Sequence, residues 1–451
     1  MRNRVWIALA LASALGLAGC GGGGNPSAPT LSTVASVNAA STAPNAPPSG
    51  GFKQMVVFGD SLADDGAYTV AALGVYGPGT QSNISFTGLP YPAGGQFTVN
   101  GVTNASGKPV GNWTNQLAAT LGIGLTPNIV GYYSPQAGAF TYLTPTGLTT
   151  TQSSAFCAFS APPASGAATC TNFAQGGSMV ATAAGIGNPM NTVSPGGAMT
   201  YPVTQQIQNY QAQFGSFNGN QLVTFLAGNN DIFAALSNVS AQVKQAVTQA
   251  VTQAAQSGTP LTTAQQAAVQ SQATSQAAAA AQAAVAGVAD QLAAQVQLTV
   301  KNGAKYVLVF TLPDSSLTPF GQSLSGGTTC NNTDIHTPCY LLSNLVQVFN
   351  QRLLNDLQGM PVKVLDGFSL LNQEMANPSQ FGFTNVTTPW CNPATTSSLL
   401  CNAGTPNAAA GASTSNLNSW LFADTVHPTP AGYQVIANST LQAMKGFGWA
   451  Q

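Results

Sequence analysis

The sequence predicts an α/β fold in which helices pack on a parallel sheet. Four short apolar runs, at 55–58, 222–226, 306–311 and 362–365, have the continuous hydrophobicity of strands buried on both faces. Stretches of helical character separate or follow them, as βαβ crossovers require. Residues 172–175 offer a fifth short strand. Ligands of such sheets bind outside the carboxyl ends of the strands, so the residues just after each run carry most functional weight.

In chain order, Met1 to Arg4 holds two arginines, 5–17 is an apolar run of thirteen, and Leu17-Ala18-Gly19-Cys20 closes it. A helix needs about twenty residues to cross a bilayer, so 1–19 reads as an export signal. The Leu-Ala-Gly-Cys ending resembles the lipobox of bacterial lipoproteins. That resemblance implies lipidation of Cys20, a membrane tether and, with Gly21 rather than Asp next, delivery to the outer membrane or cell surface. The alternative is an ordinary cleaved signal with an incidental cysteine. Residues 20–51, rich in Gly, Pro, Ser, Ala and Thr, read as a flexible tether, and 52–451 as the folded domain.

Within that domain, 239–301 is an insertion of Ala, Gln, Val and Thr. Val239, Val243, Val247 and Val251 recur every four residues, and Val285, Val288, Leu292 and Val296 fall at helical spacing. Ser257-Gly258-Thr259-Pro260 breaks the two halves, and Thr263 with Gln266 offers a capping box to the second. A long helical hairpin is expected, packed on the domain in the plainer reading, and binding a partner or acting as a lid in the other. Residues 382–418 read as loop.

Of 451 residues only 10 are Lys or Arg and 11 Asp or Glu, for a net charge of −1. Ten scattered cations cannot build the basic face that phosphate neutralisation requires, which excludes nucleic acid as a partner. With 44% apolar residues, charge-driven disorder is excluded too. Substrate capture should then be apolar rather than steered by charge.

Setting Cys20 aside leaves six of the seven cysteines, an even number that argues for disulfides over metal in an exported chain. Spacing pairs Cys157 with Cys170, Cys330 with Cys339, and Cys391 with Cys401, each within a loop-like segment. Six cysteines allow about fifteen connectivities, so this local pairing stands as an expectation.

The chain has two histidines, His336 and His427. A histidine base working near neutral pH has to be one of them. His336 lies between Cys330 and Cys339. His427 stands three residues after Asp424 and just before a helix expected beyond Pro428. A carboxylate so placed can hold the proton of one ring nitrogen and turn the other toward a nucleophile. On their own, an Asp and a His three apart would form a surface turn. The candidate nucleophile comes from the far end of the chain, where the first apolar run leads into Gly59-Asp60-Ser61-Leu62-Ala63-Asp64-Asp65-Gly66. Gly59 permits a tight exit from the strand, and Ser61 falls where a helix would start with its N–H free. Asp60, Asp64 and Asp65 read as helix-start residues favoured by the dipole.

With these blocks the sequence resembles the GDSL or SGNH hydrolases, a family of serine esterases and lipases. Gly59-Asp60-Ser61-Leu62 matches the first family block, with Ser61 as nucleophile. Asn172-Phe173-Ala174-Gln175-Gly176-Gly177-Ser178 is similar to the second, where Gly177 matches the oxyanion-hole glycine. Gly228-Asn229-Asn230-Asp231 is similar to the third, with Asn230 as the oxyanion-hole asparagine, and Asp424 with His427 completes the fourth. Residues 111–118 and 311–319 resemble further stretches of bacterial members, and the resemblance spans roughly 52–447. It implies a three-layer α/β/α, flavodoxin-like fold, and ester cleavage without cofactor or metal. Ser61 would attack, His427 would act as base and Asp424 would orient it. The oxyanion donors would be the amides of Ser61 and Gly177 and the Asn230 side chain. The helical insertion and the cysteine loops depart from the family pattern.

An α/β-hydrolase requires Gly-x-Ser-x-Gly at its nucleophile, and no such pentapeptide occurs. Two histidines and a single glutamate, Glu374, without clustered spacing argue against a metal site. Three alternatives stay open at this level. The same site would also suit an acyltransferase or a carbohydrate deacetylase, and a non-catalytic adhesive lipoprotein would use the Ala/Gln hairpin as its working part.

Overall fold

The computed structural model describes residues 34–69, 94–103, 110–134, 137–158, 167–189, 197–326, 330, 334–396 and 398–451. The expected signal segment 1–19 and Cys20 lie outside these residues. In chain order the elements are α1 (Val34–Ala40), β1 (Gln54–Gly59), α2 (Trp113–Thr120), β2 (Gly131–Ser134), β3 (Ala139–Thr144) and β4 (Gly147–Thr149). There follow α3 (Val203–Phe214), β5 (Gln221–Leu226), α4 (Asn229–Gln256), α5 (Thr263–Lys301), β6 (Tyr306–Phe310) and α6 (Pro319–Ser323). The chain ends with α7 (Pro338–Leu357), β7 (Lys363–Leu365), α8 (Gly367–Ala376) and α9 (Pro430–Gly446).

The four expected strands form one parallel sheet in the order β1-β5-β6-β7, with Val57 opposite Thr224, Val223 opposite Val307, and Val309 opposite Val364. Every residue of β1, β5 and β6 is buried, which is why these strands read as unbroken apolar runs and not as alternation. One group of helices, α4, α5 and α7, packs together with α3 against α5, while α2 packs with α9 as a second group. The sheet between them makes a three-layer α/β/α fold. Phe58 on β1 meets the rings of Phe173, Phe225, Tyr210 and Phe217. Fully burying one such side chain contributes about 1.5–3 kcal/mol, so this cluster fixes α3 and the 173 segment to the strand that precedes Ser61.

Residues 172–175 do not form a regular fifth strand. The segment runs beside β1 through three backbone bonds, Val57 N to Thr171 O, Phe173 N to Val57 O and Gln175 N to Gly59 O, yet closes only isolated bridges at Asn172, to Val57 and to Pro127. A second sheet was not expected: β2, β3 and β4 form an antiparallel three-stranded unit. It sits over a satellite core that includes Tyr68, Ile129, Tyr142 and Met199.

The hairpin is present but begins earlier than its valine stripe. Its first helix starts at Asn229 rather than 239, because Asn229, Asn230 and Asp231 are themselves the buried first turn. Only Val239 of the four valines is fully buried, and Val251 is exposed. In α5 the buried stripe runs from Ala277 to Thr299. The capping box uses Thr262 and Gln265, with Gln265 N donating to Thr262 Oγ1 (3.2 Å) and Thr262 N to Gln265 Oε1 (2.9 Å). The doublets Thr262-Thr263 and Gln265-Gln266 offer the same spacing in two registers, and the expected Thr263 and Gln266 are the unused pair.

The segment expected as a flexible tether, 20–51, is docked wherever it is described. Asn38 pairs with the edge strand β7 as a strand residue would: its Nδ2 donates to Val364 O (2.8 Å) and Val364 N donates to its Oδ1 (2.7 Å). Val37 is buried beside it. Further on, Trp449 Nε1 donates to Pro44 O (2.6 Å) and Tyr306 OH to Ala46 O (2.9 Å). The side chain of Asn38 thus covers an edge that would otherwise present unpaired backbone groups.

Candidate active site

At the end of β1 the backbone passes so close to β5 that a Cβ on Gly59 would lie 2.5 Å from Leu226 O, which is the reason for glycine there. Asp60 N donates to Leu226 O (3.2 Å), and Ala63 N returns to Asp60 O (3.1 Å). The segment is a turn with Ser61 at its apex, not the helix start expected from sequence. Gln206 on α3, which sequence reasoning missed, accepts from Gly59 N (2.9 Å) and donates to Gly59 O (2.8 Å), completing the strand end with a side-chain amide.

The Asp424–His427 loop is equally determined. Phe422 and Pro428 form an antiparallel bridge, and Ala423 N donates to His427 O (2.8 Å). Asp424 Oδ1 accepts from Val426 N (2.8 Å) and His427 N (2.7 Å). With the loop closed this tightly, Asp424 and His427 project to the same side. His427 Nδ1 lies 2.7 Å from Asp424 Oδ2, and His427 Nε2 lies 2.8 Å from Ser61 Oγ. Both residues of the pair are buried and Ser61 is half-buried. The Phe97 ring packs on the imidazole at 5.0 Å, and Thr98 Oγ1 donates to Pro428 O (3.0 Å). The Cys391–Cys401 disulfide braces the same loop, since Cys391 N donates to Ala423 O (2.8 Å). Cys157–Cys170 and Cys330–Cys339 are bonded as well, so all three pairs follow their spacing.

Gly177 has φ +78°, and a Cβ there would sit 2.0 Å from Ile186 O. Its neighbour Gly176 is clamped from both sides: Gly176 N donates to Asp64 Oδ2 (2.9 Å), and Tyr68 OH donates to Gly176 O (3.0 Å). Asn230 Nδ2 donates to Ser178 O (2.8 Å), tying this loop to the first turn of α4 and leaving one amide hydrogen for another acceptor. Among the described residues, neither Ser61 N nor Gly177 N has an acceptor. Asp231, in the same turn as Asn230, accepts from Val180 N (3.1 Å).

Asp60, Asp64 and Asp65 are not helix-start residues. All three are buried. Asp60 caps the Ser61 turn through Leu62 N (3.0 Å), and Asp64 holds Gly66 N, Ala67 N and Gly176 N. The 111–118 block reinforces them, with Asn112 Nδ2 donating to Asp64 O (2.7 Å). In the 311–319 block, Ser315 Oγ donates to Asn229 Oδ1 (3.4 Å). Burial pushes Asp60 and Asp64 up to about 6 and Asp231 to about 7, and it raises Asp65 well above the usual carboxylate range.

Unfolded, these carboxyls ionise near pH 4. Between that value and their higher folded values the native state binds more protons than the unfolded one, so stability falls as pH rises, by about 1.4 kcal/mol per unit for each group. The expected result is an unfolding temperature several degrees higher at pH 5 than at pH 8, measured by scanning calorimetry. A flat or rising profile over that interval would contradict the burial assigned to these groups.

His336 makes a second Ser–His–Asp contact set. Its Nδ1 lies 2.6 Å from Asp334 Oδ1 and its Nε2 3.0 Å from Ser275 Oγ. The set is exposed, and Ser275 lies inside α5, where main-chain N–H groups are already bonded along the helix. Those helical amides are therefore not free to meet a developing oxyanion at Ser275.

Serine, histidine and aspartate side chains thus lie in consecutive contact at the carboxyl edge of a parallel α/β/α sheet, where such sheets bind their ligands. The chain belongs to the GDSL-like Lipase/Acylhydrolase family, whose model matches residues 55–440. Over 162 residues it is 36% identical to a Pseudomonas putida protein described as uncharacterised and lying in the trpE-trpG intergenic region, covering 34% of this chain and 24% of that protein. It is 31% identical over 162 residues to a GDSL esterase/lipase of Arabidopsis thaliana, covering 34% of this chain and 44% of the relative. A second Arabidopsis thaliana relative, GDSL esterase/lipase APG, is 27% identical over 159 residues, covering 34% and 42%. The matches span less than half the length of these relatives.

Proposed function

We propose that the protein hydrolyses carboxylic esters through a covalent acyl-enzyme. Ser61 Oγ attacks the ester carbonyl as His427 Nε2 takes its proton, and Asp424 holds the imidazolium that forms. His427 then returns the proton to the leaving alkoxide, and water resolves the acyl-enzyme by the same route. The amides of Ser61 and Gly177 and the remaining Asn230 hydrogen would meet the oxyanion. Losing one such donor typically costs about 10²–10³ in rate.

The observation carrying this reading is the continuous contact from Asp424 Oδ2 through His427 to Ser61 Oγ, at 2.7 and 2.8 Å, in a GDSL-family chain. The pocket beside it is mostly apolar, lined by Leu62, Phe233, Leu370 and Leu421 among others, which suits a neutral acyl chain. The purified protein with its cysteines oxidised should hydrolyse short acyl p-nitrophenyl esters and react with a fluorophosphonate probe. Failure in both assays would reject the reading. Lipidation of Cys20 and anchoring at the outer membrane or cell surface belong to the same proposal, supported by the Leu17-Ala18-Gly19-Cys20 ending.

A further inference from the structure

One buried group in the pocket takes no part in that mechanism. Glu374, the single glutamate of the chain, lies on α8, where Gly367, Leu370, Leu371 and Glu374 fall at helical spacing and line the same pocket as Ser61 and His427. The residue is 3% exposed. Among the described residues no donor reaches its Oε1. Burial pushes its carboxyl up to about 8, so near neutral pH it carries a proton and both donates and accepts hydrogen bonds.

A carboxyl in an apolar pocket wall weakens packing and leaves a polar group unsatisfied. Leucine would fill the same helical position without that penalty. The group becomes an asset when the occupant supplies the missing partner. A protonated acid offers one O–H donor and carbonyl-type acceptors, which a hydroxyl matches in both directions. An ammonium would match only an ionised carboxylate. The rest of the wall is largely apolar, as an aliphatic chain requires.

We propose that the pocket selects acyl chains bearing a hydroxyl group, and that Glu374 recognises this hydroxyl by exchanging hydrogen bonds with it. The assignment rests on Ser61 being the nucleophile of an ester hydrolase, and it adds a substrate class to that reading. Sites that hydrogen-bond a substrate hydroxyl discriminate strongly against analogues lacking it, because their own polar group is then left unpaired.

The test compares p-nitrophenyl hexanoate with its 3-hydroxy, 6-hydroxy and 6-ammonio derivatives. In the wild type one hydroxylated ester is expected to exceed hexanoate in kcat/KM by about tenfold or more. Glu374→Leu should bring that ratio to about one or below, with the rate on plain hexanoate rising, and Glu374→Gln should keep part of the preference. Equal wild-type rates on the hydroxylated and plain esters would overturn the proposal. So would an advantage confined to the ammonio ester, or a Glu374→Leu variant that slows every ester alike. Thermal stabilisation of Ser61→Ala by methyl 3-hydroxyhexanoate and methyl 6-hydroxyhexanoate, set against methyl hexanoate, reads recognition without chemistry. Discrimination there would uphold the role of Glu374 even if no ester were cleaved, and its absence would remove that role while leaving hydrolysis by Ser61 standing.

Discussion

Replacing Ser61 by alanine is expected to lower kcat on p-nitrophenyl esters by about 10⁴–10⁶ and to abolish fluorophosphonate labelling. The proposed mechanism has no second route: Ser61 Oγ is the atom that His427 Nε2 faces, at 2.8 Å. Residual turnover would come from oxyanion donors acting on a water nucleophile. Because the three residues act as a unit, His427→Ala should cost a comparable amount, and the double variant little more than either single one. The fold should be unaffected, since Ser61 is half-buried at a turn apex, and the turn itself is held by Asp60 and Gly59. Mass spectrometry of the labelled protein together with the unfolding temperature would check both halves. Labelling that persists in Ser61→Ala would remove Ser61 as nucleophile and bring forward Ser275 and Ser271, whose hydroxyls contact His336.

Much of this arrangement was legible in the sequence because it rests on short, local signals. The strands of the main sheet are buried on both faces, so their apolar runs stand out against a polar chain. Asp424 and His427 share one loop, and three residues suffice to set their geometry. What was missed depends on contacts between residues far apart in the chain. Gln206 lies 147 residues from Gly59, whose strand end it completes, and nothing in its own helix marks it. Asp64 looked like a helix-start residue because an acidic cluster after a strand usually is one. Its partner Gly176 is 112 residues away, and without that partner the sequence offers no reason to bury it. The docking of residues 34–51 has the same origin: Asn38 pairs with Val364 across 326 residues, whereas Gly, Pro and Ser suggest only flexibility. The antiparallel sheet β2–β4 was missed for another reason. Its strands are half-buried and only three to six residues long, too short for a period of two to be distinguished from loop.

Asp424→Asn should then be the most informative conservative change, because it separates two roles that one carboxylate performs. Oδ1 accepts from the amides of Val426 and His427 and builds the loop, a role that the asparagine oxygen can keep. Oδ2 accepts from His427 Nδ1 at 2.7 Å, and an amide nitrogen in that place is a donor. The ring must then present an unprotonated Nδ1 to it, which moves the remaining proton to Nε2 and aims it at Ser61. In that tautomer the imidazole cannot accept the serine proton. The expected loss is about 10⁴ in kcat, the size seen when this tautomer error is introduced in a serine protease, with circular dichroism and unfolding temperature near those of the parent. Asp424→Ala should add loop disorder and lost stability to the same defect, since the amides of Val426 and His427 would lose their acceptor. A drop of less than about tenfold in Asp424→Asn would mean that the ring is held in its working tautomer by the loop backbone alone. The site would then operate as a Ser61–His427 dyad, with Asp424 serving only the architecture of the turn.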